Sequence, residues 1–102
     1  MANTIFEKNG SLLTIKPEGR LDTATSPELE KEITPYLEGV QNIVMDFERV
    51  EYLSSGGLRL LLALEQKMTD QGGGLKLIHV NEYIFEVLEM MGMLDEITIE
   101  KD

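Results

Sequence analysis

Short extended runs alternate with three apolar stripes at helical spacing, and this alternation constrains the fold more than any other feature of the chain. The first stripe holds Leu29, Ile33 and Leu37, with Tyr36 beside them. The second, between Leu58 and Met68, is the most apolar and spreads Leu58, Leu61, Leu62 and Leu64 over a broad arc. The third sets Ile84, Val87, Leu88 and Met91 on one face. Between the stripes lie IVMDF, Ile43 to Phe47, and LKLIHV, residues 75–80, which have the length and character of strands. Strand–helix–strand connections imply right-handed crossovers and some parallel pairing. A chain of 102 residues has room for one small domain. The expected fold is α/β: a single domain over residues 1–102, with a mixed four- to five-stranded sheet and helices mainly on one face.

Turn and cap residues set the boundaries. Asn9-Gly10 separates the runs Thr4–Lys8 and Ser11–Lys16, and both residues tolerate positive φ, so a hairpin is expected. Pro17 and Gly19 end the second of these strands. Ser26 followed by Pro27 reads as an N-cap with proline at the first helical position, and Glu28 and Glu30 suit that end of the helix. Pro35 kinks or tightens its last turn, and Gly39 ends it. Gly72 to Gly74 break the second helix, Asn81 caps the third, and Gly92 closes it. Ile97 and Ile99 suggest a last edge strand. Ile43, Val44, Leu61 and Leu62 are expected in the core.

Composition removes several function classes. Nine basic residues against 19 acidic ones give a formal charge of −10, the wrong sign for a nucleic-acid backbone. The opening MANTIFEKNG has neither the basic nor the apolar region of a secretory signal. The longest apolar run, Leu60–Leu64, is far too short to span a membrane. With no cysteine, thiolate metal sites and disulfides are excluded, and a reducing cytoplasm is compatible. His79, the only histidine, sits inside a strand pattern and reads as a structural or surface side chain. A histidine triad or three-histidine zinc site is out of reach for one chain. No phosphate-loop or dinucleotide fingerprint is present, and no cofactor is expected. Asp22 suits an Asx turn with Ala24. Asp46 interrupts an apolar strand, where it either accepts loop amides or lies near the turn at residues 52–57. Each of the two acids has a structural reading and a reading as part of a polar surface site.

That turn, YLSSGG, is the least ordinary part of the chain. Ser54 is placed to cap the helix by accepting from the N–H of Gly56 or Gly57. Ser55 then occupies the first helical position, where the cap has no use for its hydroxyl. Glycine inside a helix costs about 1 kcal/mol relative to alanine, so Gly56 and Gly57 need a compensating reason. Close backbone approach is one; a helix end left bare for a partner is another. An exposed Ser55 is chemically able to accept a phosphoryl group, whose charge a helix start tolerates. The bland alternative is two interchangeable turn serines.

At these residues the chain resembles the STAS domain, specifically the stand-alone anti-sigma-factor antagonists of bacteria. The resemblance rests on VEYLSSGGLRLLLALEQ (Val50 to Gln66), and it extends in register through GRLDTATSPELE, IVMDFERV and LKLIHVNEYIFEVLEMMGMLDEITI. It implies a cytoplasmic partner-switching protein. Such a protein binds an anti-sigma factor that is also a serine kinase with a histidine-kinase-like ATP fold. Phosphorylation releases the antagonist, and a metal-dependent serine phosphatase resets it. The matching phosphoacceptor is Ser55. Ser54 stands where many members carry aspartate, and Gly56 where many carry serine or alanine. The expected partner face comprises Asp22, Thr23, Ala24, Ser54, Ser55, Gly56, Gly57 and Arg59. Neither catalysis by this chain, direct nucleic-acid contact nor membrane insertion is implied. An alternative within the same family is a regulatory or scaffold subunit of another assembly, such as a stress-sensing complex, a secretion-linked regulator or a lipid transporter.

Overall fold

The computed structural model describes residues 3–102; Met1 and Ala2, counted in the expected 1–102 domain, lie outside the described residues. The elements run β1 (Ile5–Asn9), β2 (Leu12–Lys16), β3 (Glu18–Leu21), α1 (Ser26–Ile33), β4 (Asn42–Asp46), β5 (Arg49–Leu53), α2 (Ser55–Asp70), β6 (Gly74–Val80), α3 (Glu82–Met90) and β7 (Thr98–Lys101). A five-stranded sheet has the order β1-β2-β4-β6-β7. Its β1–β2 pair is antiparallel and the other pairs are parallel. The helices pack on one face of this sheet, as the stripes required.

The pleat explains the core. Leu13, Ile43 and Leu75 align across β2, β4 and β6, as do Ile15, Met45 and Leu77, and all six are buried. Leu29 and Ile33 of α1, Leu61, Leu64 and Met68 of α2, and Ile84 and Leu88 of α3 join them in one core. Two expectations fail on geometry. Val44 is only half-buried, because strand side chains alternate and its neighbours Ile43 and Met45 take the helix-covered face. Leu62 is exposed because it shares the outward side of α2 with Arg59 and Gln66, three and four residues away.

The Asn9-Gly10 hairpin is present, with Asn9 paired to Leu12 and Gly10 at φ +64°. The first helix starts one residue earlier than the cap signal suggested. Thr25 is its N-cap, Ser26 is its first residue and is buried, and Pro27 follows. Thr34 to Tyr36 tighten into a 3₁₀ turn around Pro35, and Gly39 reverses the chain at φ +77°. The principal omission is a second, two-stranded parallel sheet of β3 and β5. β2 ends at Lys16, directly before Pro17, as expected, but Gly19 then lies within β3. Both strands are short, and only Leu21, Val50 and Leu53 among their residues are buried, so the hydrophobic pattern is brief. Their effect is decisive for the site: Leu21 pairs with Leu53, which delivers the segments after them to the same place.

Candidate functional site

Segments 22–25 and 54–57 leave β3 and β5 side by side. The Ser54 N–H donates to the Leu21 carbonyl at 3.0 Å, so the first segment is fastened to the second. Across the same pair of strands, the Arg20 guanidinium lies 4.0 Å from the centre of the Tyr52 ring. Arg20 also reaches Asp22, with Nε 3.3 Å from Oδ2.

Asp22 builds the first segment. Its Oδ1 accepts from the Ala24 N–H at 3.0 Å and the Thr25 N–H at 2.9 Å, so the Asx turn expected with Ala24 is formed. Thr25 closes the turn from the other side. Its hydroxyl accepts from the Asp22 N–H at 3.0 Å and donates to the Arg20 carbonyl at 2.6 Å. The Thr25 backbone bond, helped by the Thr25 hydroxyl, Arg20 and Ala24, holds the Asp22 carboxyl below the usual aspartate range. Thr25 and the Arg20–Tyr52 stack were not singled out from the sequence. The first acts through neighbours three and five residues away, and the second depends on a strand pairing that no periodicity announced.

Gly56 and Gly57 are buried, and they are small for a steric reason. A Cβ on Gly56 would come within 2.6 Å of Thr23 Cα and 2.7 Å of Thr23 N. One on Gly57 would come within 2.6 Å of both the Leu21 carbonyl oxygen and Leu53 Cδ1. Of the two reasons the sequence left open, close backbone approach is the one observed: the start of α2 is pressed against the 22–25 loop.

Ser54 occupies the N-cap position of α2 with extended backbone, and Leu58 N–H donates to its carbonyl at 3.0 Å. Its side chain does not cap. Among the described residues the Ser54 hydroxyl is buried and finds no hydrogen-bond partner, which corrects the expected side-chain cap. Ser55 is exposed at the first helical position. Arg59, one turn further on, is exposed and makes no ion pair among the described residues. Positions four apart lie on one side of a helix, so Ser55 and Arg59 are neighbours on it. Beside them, α1 and α2 enclose a cleft of about 320 Å³, lined by Thr23, Ser26 and Glu30 on one side and Gly56, Arg59 and Leu60 on the other.

Asp46 and His79 belong elsewhere. Asp46 accepts from the Glu48 N–H at 2.9 Å and lies 2.9 Å from His79 Nδ1, so its recorded partners do not include the Ser54–Gly57 turn. Partial burial works to raise the Asp46 pKa. The Glu48 amide and His79 outweigh it and leave the group below its ordinary value. The Asp46 hydrogen bond raises His79 above the usual histidine value. His79 is exposed and holds a left-handed backbone at φ +55°, within an irregular stretch of the β6–β7 pairing. No cluster of metal-ligating side chains occurs among the described residues. No helix among them is long and apolar enough to cross a membrane.

The STAS domain profile matches residues 3–102. The anti-sigma-B factor antagonist of Staphylococcus aureus is 37% identical over 92 residues, covering 86% of this chain and 76% of that protein. An anti-sigma factor antagonist from Mycobacterium paratuberculosis superposes with a TM-score of 0.83 at 22% identity, covering 96% of this chain and 84% of that one. The anti-sigma factor antagonist SpoIIAA in its unphosphorylated form superposes with a TM-score of 0.81 at 19% identity, covering 94% of this chain and 86% of that one. The family match spans every described residue, and the fold and the identity to a curated antagonist agree with it: the chain belongs to the STAS domain family, among the anti-sigma-factor antagonists.

Proposed function

We propose that this domain is a phosphorylation-controlled partner switch: unmodified, it binds an anti-sigma factor that is also a serine kinase, and phosphorylation of Ser55 releases it. The observation that carries the reading is the contrast within one turn. Ser54 is turned inward, Gly56 and Gly57 are packed against the 22–25 loop, and Ser55 alone offers an exposed hydroxyl. STAS domains are regulatory, and no catalytic motif is present here, so the chemistry belongs to the partner. Ser55 Oγ attacks the γ-phosphorus of ATP held by the kinase, the bond to the β-phosphate oxygen breaks, ADP leaves, and the hydroxyl proton passes to a base of the kinase. A metal-dependent serine phosphatase returns the hydroxyl by hydrolysis. These events belong to the cytoplasm.

The physical consequence falls on the complex and not on the fold. A phosphoserine adds about −1.5 to −2 charge at neutral pH. Among the described residues no side chain accepts from the first N–H groups of α2, so these donors and the helix dipole favour an anion there. Arg59 lies one turn away on the same side. A partner packed against small uncharged residues would have to desolvate that charge or repel it. The partner face is Asp22, Thr23, Ala24, Ser54, Ser55, Gly56, Gly57 and Arg59; the exposed residues supply contact, while the buried glycines fix its shape. Support also comes from the S. aureus relative, named as an anti-sigma-B factor antagonist, and from SpoIIAA, whose fold is known in unphosphorylated and phosphorylated forms.

Affinity capture from the native cell with wild-type, Ser55→Ala and Ser55→Asp bait, followed by intact-mass measurement, tests this. Wild type and Ser55→Ala should retain an anti-sigma kinase, and Ser55→Asp should lose it. Capture of the kinase by bait carrying phosphate on Ser55 would refute the release step.

A further inference from the structure

Helix α3 carries an apolar strip that the fold leaves uncovered. Tyr83 is 53% exposed, Met90 84% and Met91 53%, and Val87 between them is half-buried. At 3.6 residues per turn, Tyr83, Val87 and Met90 fall within about 60° of one another. Met91 borders them toward Ile84 and Leu88, which face the core. The opposite flank is acidic: Glu82, Glu86 and Glu89 are all exposed and follow the strip along its length. Glu86 and Glu89 make no ion pair among the described residues, whereas Glu82 is 3.4 Å from Lys101. None of these residues belongs to the Ser54–Gly57 turn or the 22–25 loop.

We infer that this face of α3 docks a basic amphipathic helix of a protein partner, at a surface separate from the Ser55 end. Exposed apolar surface edged by charge is the composition of an interface. Methionine suits it because an unbranched thioether adapts to a partner's shape. The charge selects the occupant. A second copy would bring Glu86 and Glu89 against their own counterparts on a chain of formal charge −10. An anionic lipid surface would be repelled in the same way. A helix with leucines at i, i+3 and i+7 beside a row of lysines or arginines matches both the strip and its flank.

The test uses the full chain, ¹⁵N-labelled with ¹³C-methyl methionine, and a synthetic helical peptide of about four turns with a leucine stripe and a lysine flank. The expected result is that peptide-induced shifts concentrate on residues 82–91 and on the Met90 and Met91 methyls. The double substitution Met90→Ser with Met91→Ser removes exposed groups and should keep the melting temperature, while weakening binding about tenfold. Glu86→Lys with Glu89→Lys should weaken it as well, and a peptide with glutamates in place of its lysines should not bind. Shifts spread over other surfaces, or equal affinity for either double variant in a protein of unchanged melting temperature, would overturn the assignment. A concentration-dependent dimer that the Met90, Met91 double variant abolishes would overturn it in favour of self-association.

Discussion

At the start of α3, Asn81 holds an extended backbone and its Oδ1 accepts from the Ile84 N–H at 2.8 Å. At the start of α2, Ser54 holds an extended backbone too, yet its hydroxyl is buried and accepts from nothing among the described residues. The residues that follow differ in the same sense. Glu82 and Tyr83 open α3 with large exposed side chains, whereas in α2 Ser55 is followed by Gly56 and Gly57, which have none and lie against the backbone of the 22–25 loop. One helix start is organised for local stability through its cap. The other gives up the cap and accepts two glycines, each costing about 1 kcal/mol relative to alanine within a helix. What it gains is contact with β3 and its loop, and a single accessible hydroxyl on an end whose N–H groups remain free of side-chain acceptors. A switch site needs that second arrangement, because a side-chain cap would compete with an incoming phosphate for the same donors.

The comparison breaks most readily at the glycines. Gly57→Ala drives a methyl into the Leu21 carbonyl and Leu53, and should destabilise the domain by about 1–3 kcal/mol in urea unfolding. Gly56→Ala meets the Thr23 backbone and should cost a similar amount. A charged substitution at Gly56 is therefore a poor probe of binding alone, since it disturbs the loop that shapes the partner face. If Gly57→Ala were neutral, the tight approach of α2 to β3 would be wrong.

Asn81→Ala should cost about 0.5–2 kcal/mol, because it removes a real cap. The natural companion is Ser54→Ala. Its hydroxyl makes no hydrogen bond among the described residues, so the change should stay within about 0.5 kcal/mol of zero. An equal loss at both positions would mean that the two helix starts are capped alike.

A pair outside the Ser54–Gly57 turn supplies a further contrast, in pH dependence. His79 is raised in the folded state, so its contribution is fully present below the ordinary histidine value and is lost as pH rises through the raised one. Asp46 is lowered, so its contribution is present above the ordinary aspartate value and is lost as pH falls through the lowered one. The melting temperature of His79→Gln should therefore lose the decline that wild type shows on the alkaline side of the histidine range. Ser54→Ala should keep the wild-type profile and have the smallest effect of all. A wild-type slope surviving intact in His79→Gln would remove the Asp46–His79 pair from the account.

The sheet was legible because Leu13, Ile43, Leu75 and Leu77 sit in short apolar runs bounded by Gly, Pro and Asn. The hairpin was legible in Asn9-Gly10, and α3 in Asn81 and Gly92. What escaped depends on tertiary contact. β3 and β5 are four and five residues long, too short for Leu21, Val50 and Leu53 to announce them, and they become strands by pairing with each other. Leu62 looks like a core residue until the helix is set against the sheet. Ser54 carries an N-cap identity in an N-cap position, and only packing reveals that its hydroxyl faces inward. At the site, the Asx turn of Asp22 could be read locally, and so could the exposure of Ser55. The interlock of Gly56 and Gly57 with Leu21 and Thr23 could not, since it joins segments more than 30 residues apart.

The central claim is a division of roles between adjacent serines, and peptide mass mapping after incubation with the cognate serine kinase and ATP tests it most directly. The account predicts one phosphoryl group on Ser55, none on Ser54, no incorporation into Ser55→Ala and normal incorporation into Ser54→Ala. Phosphate on Ser54 with Ser55 unmodified would contradict it.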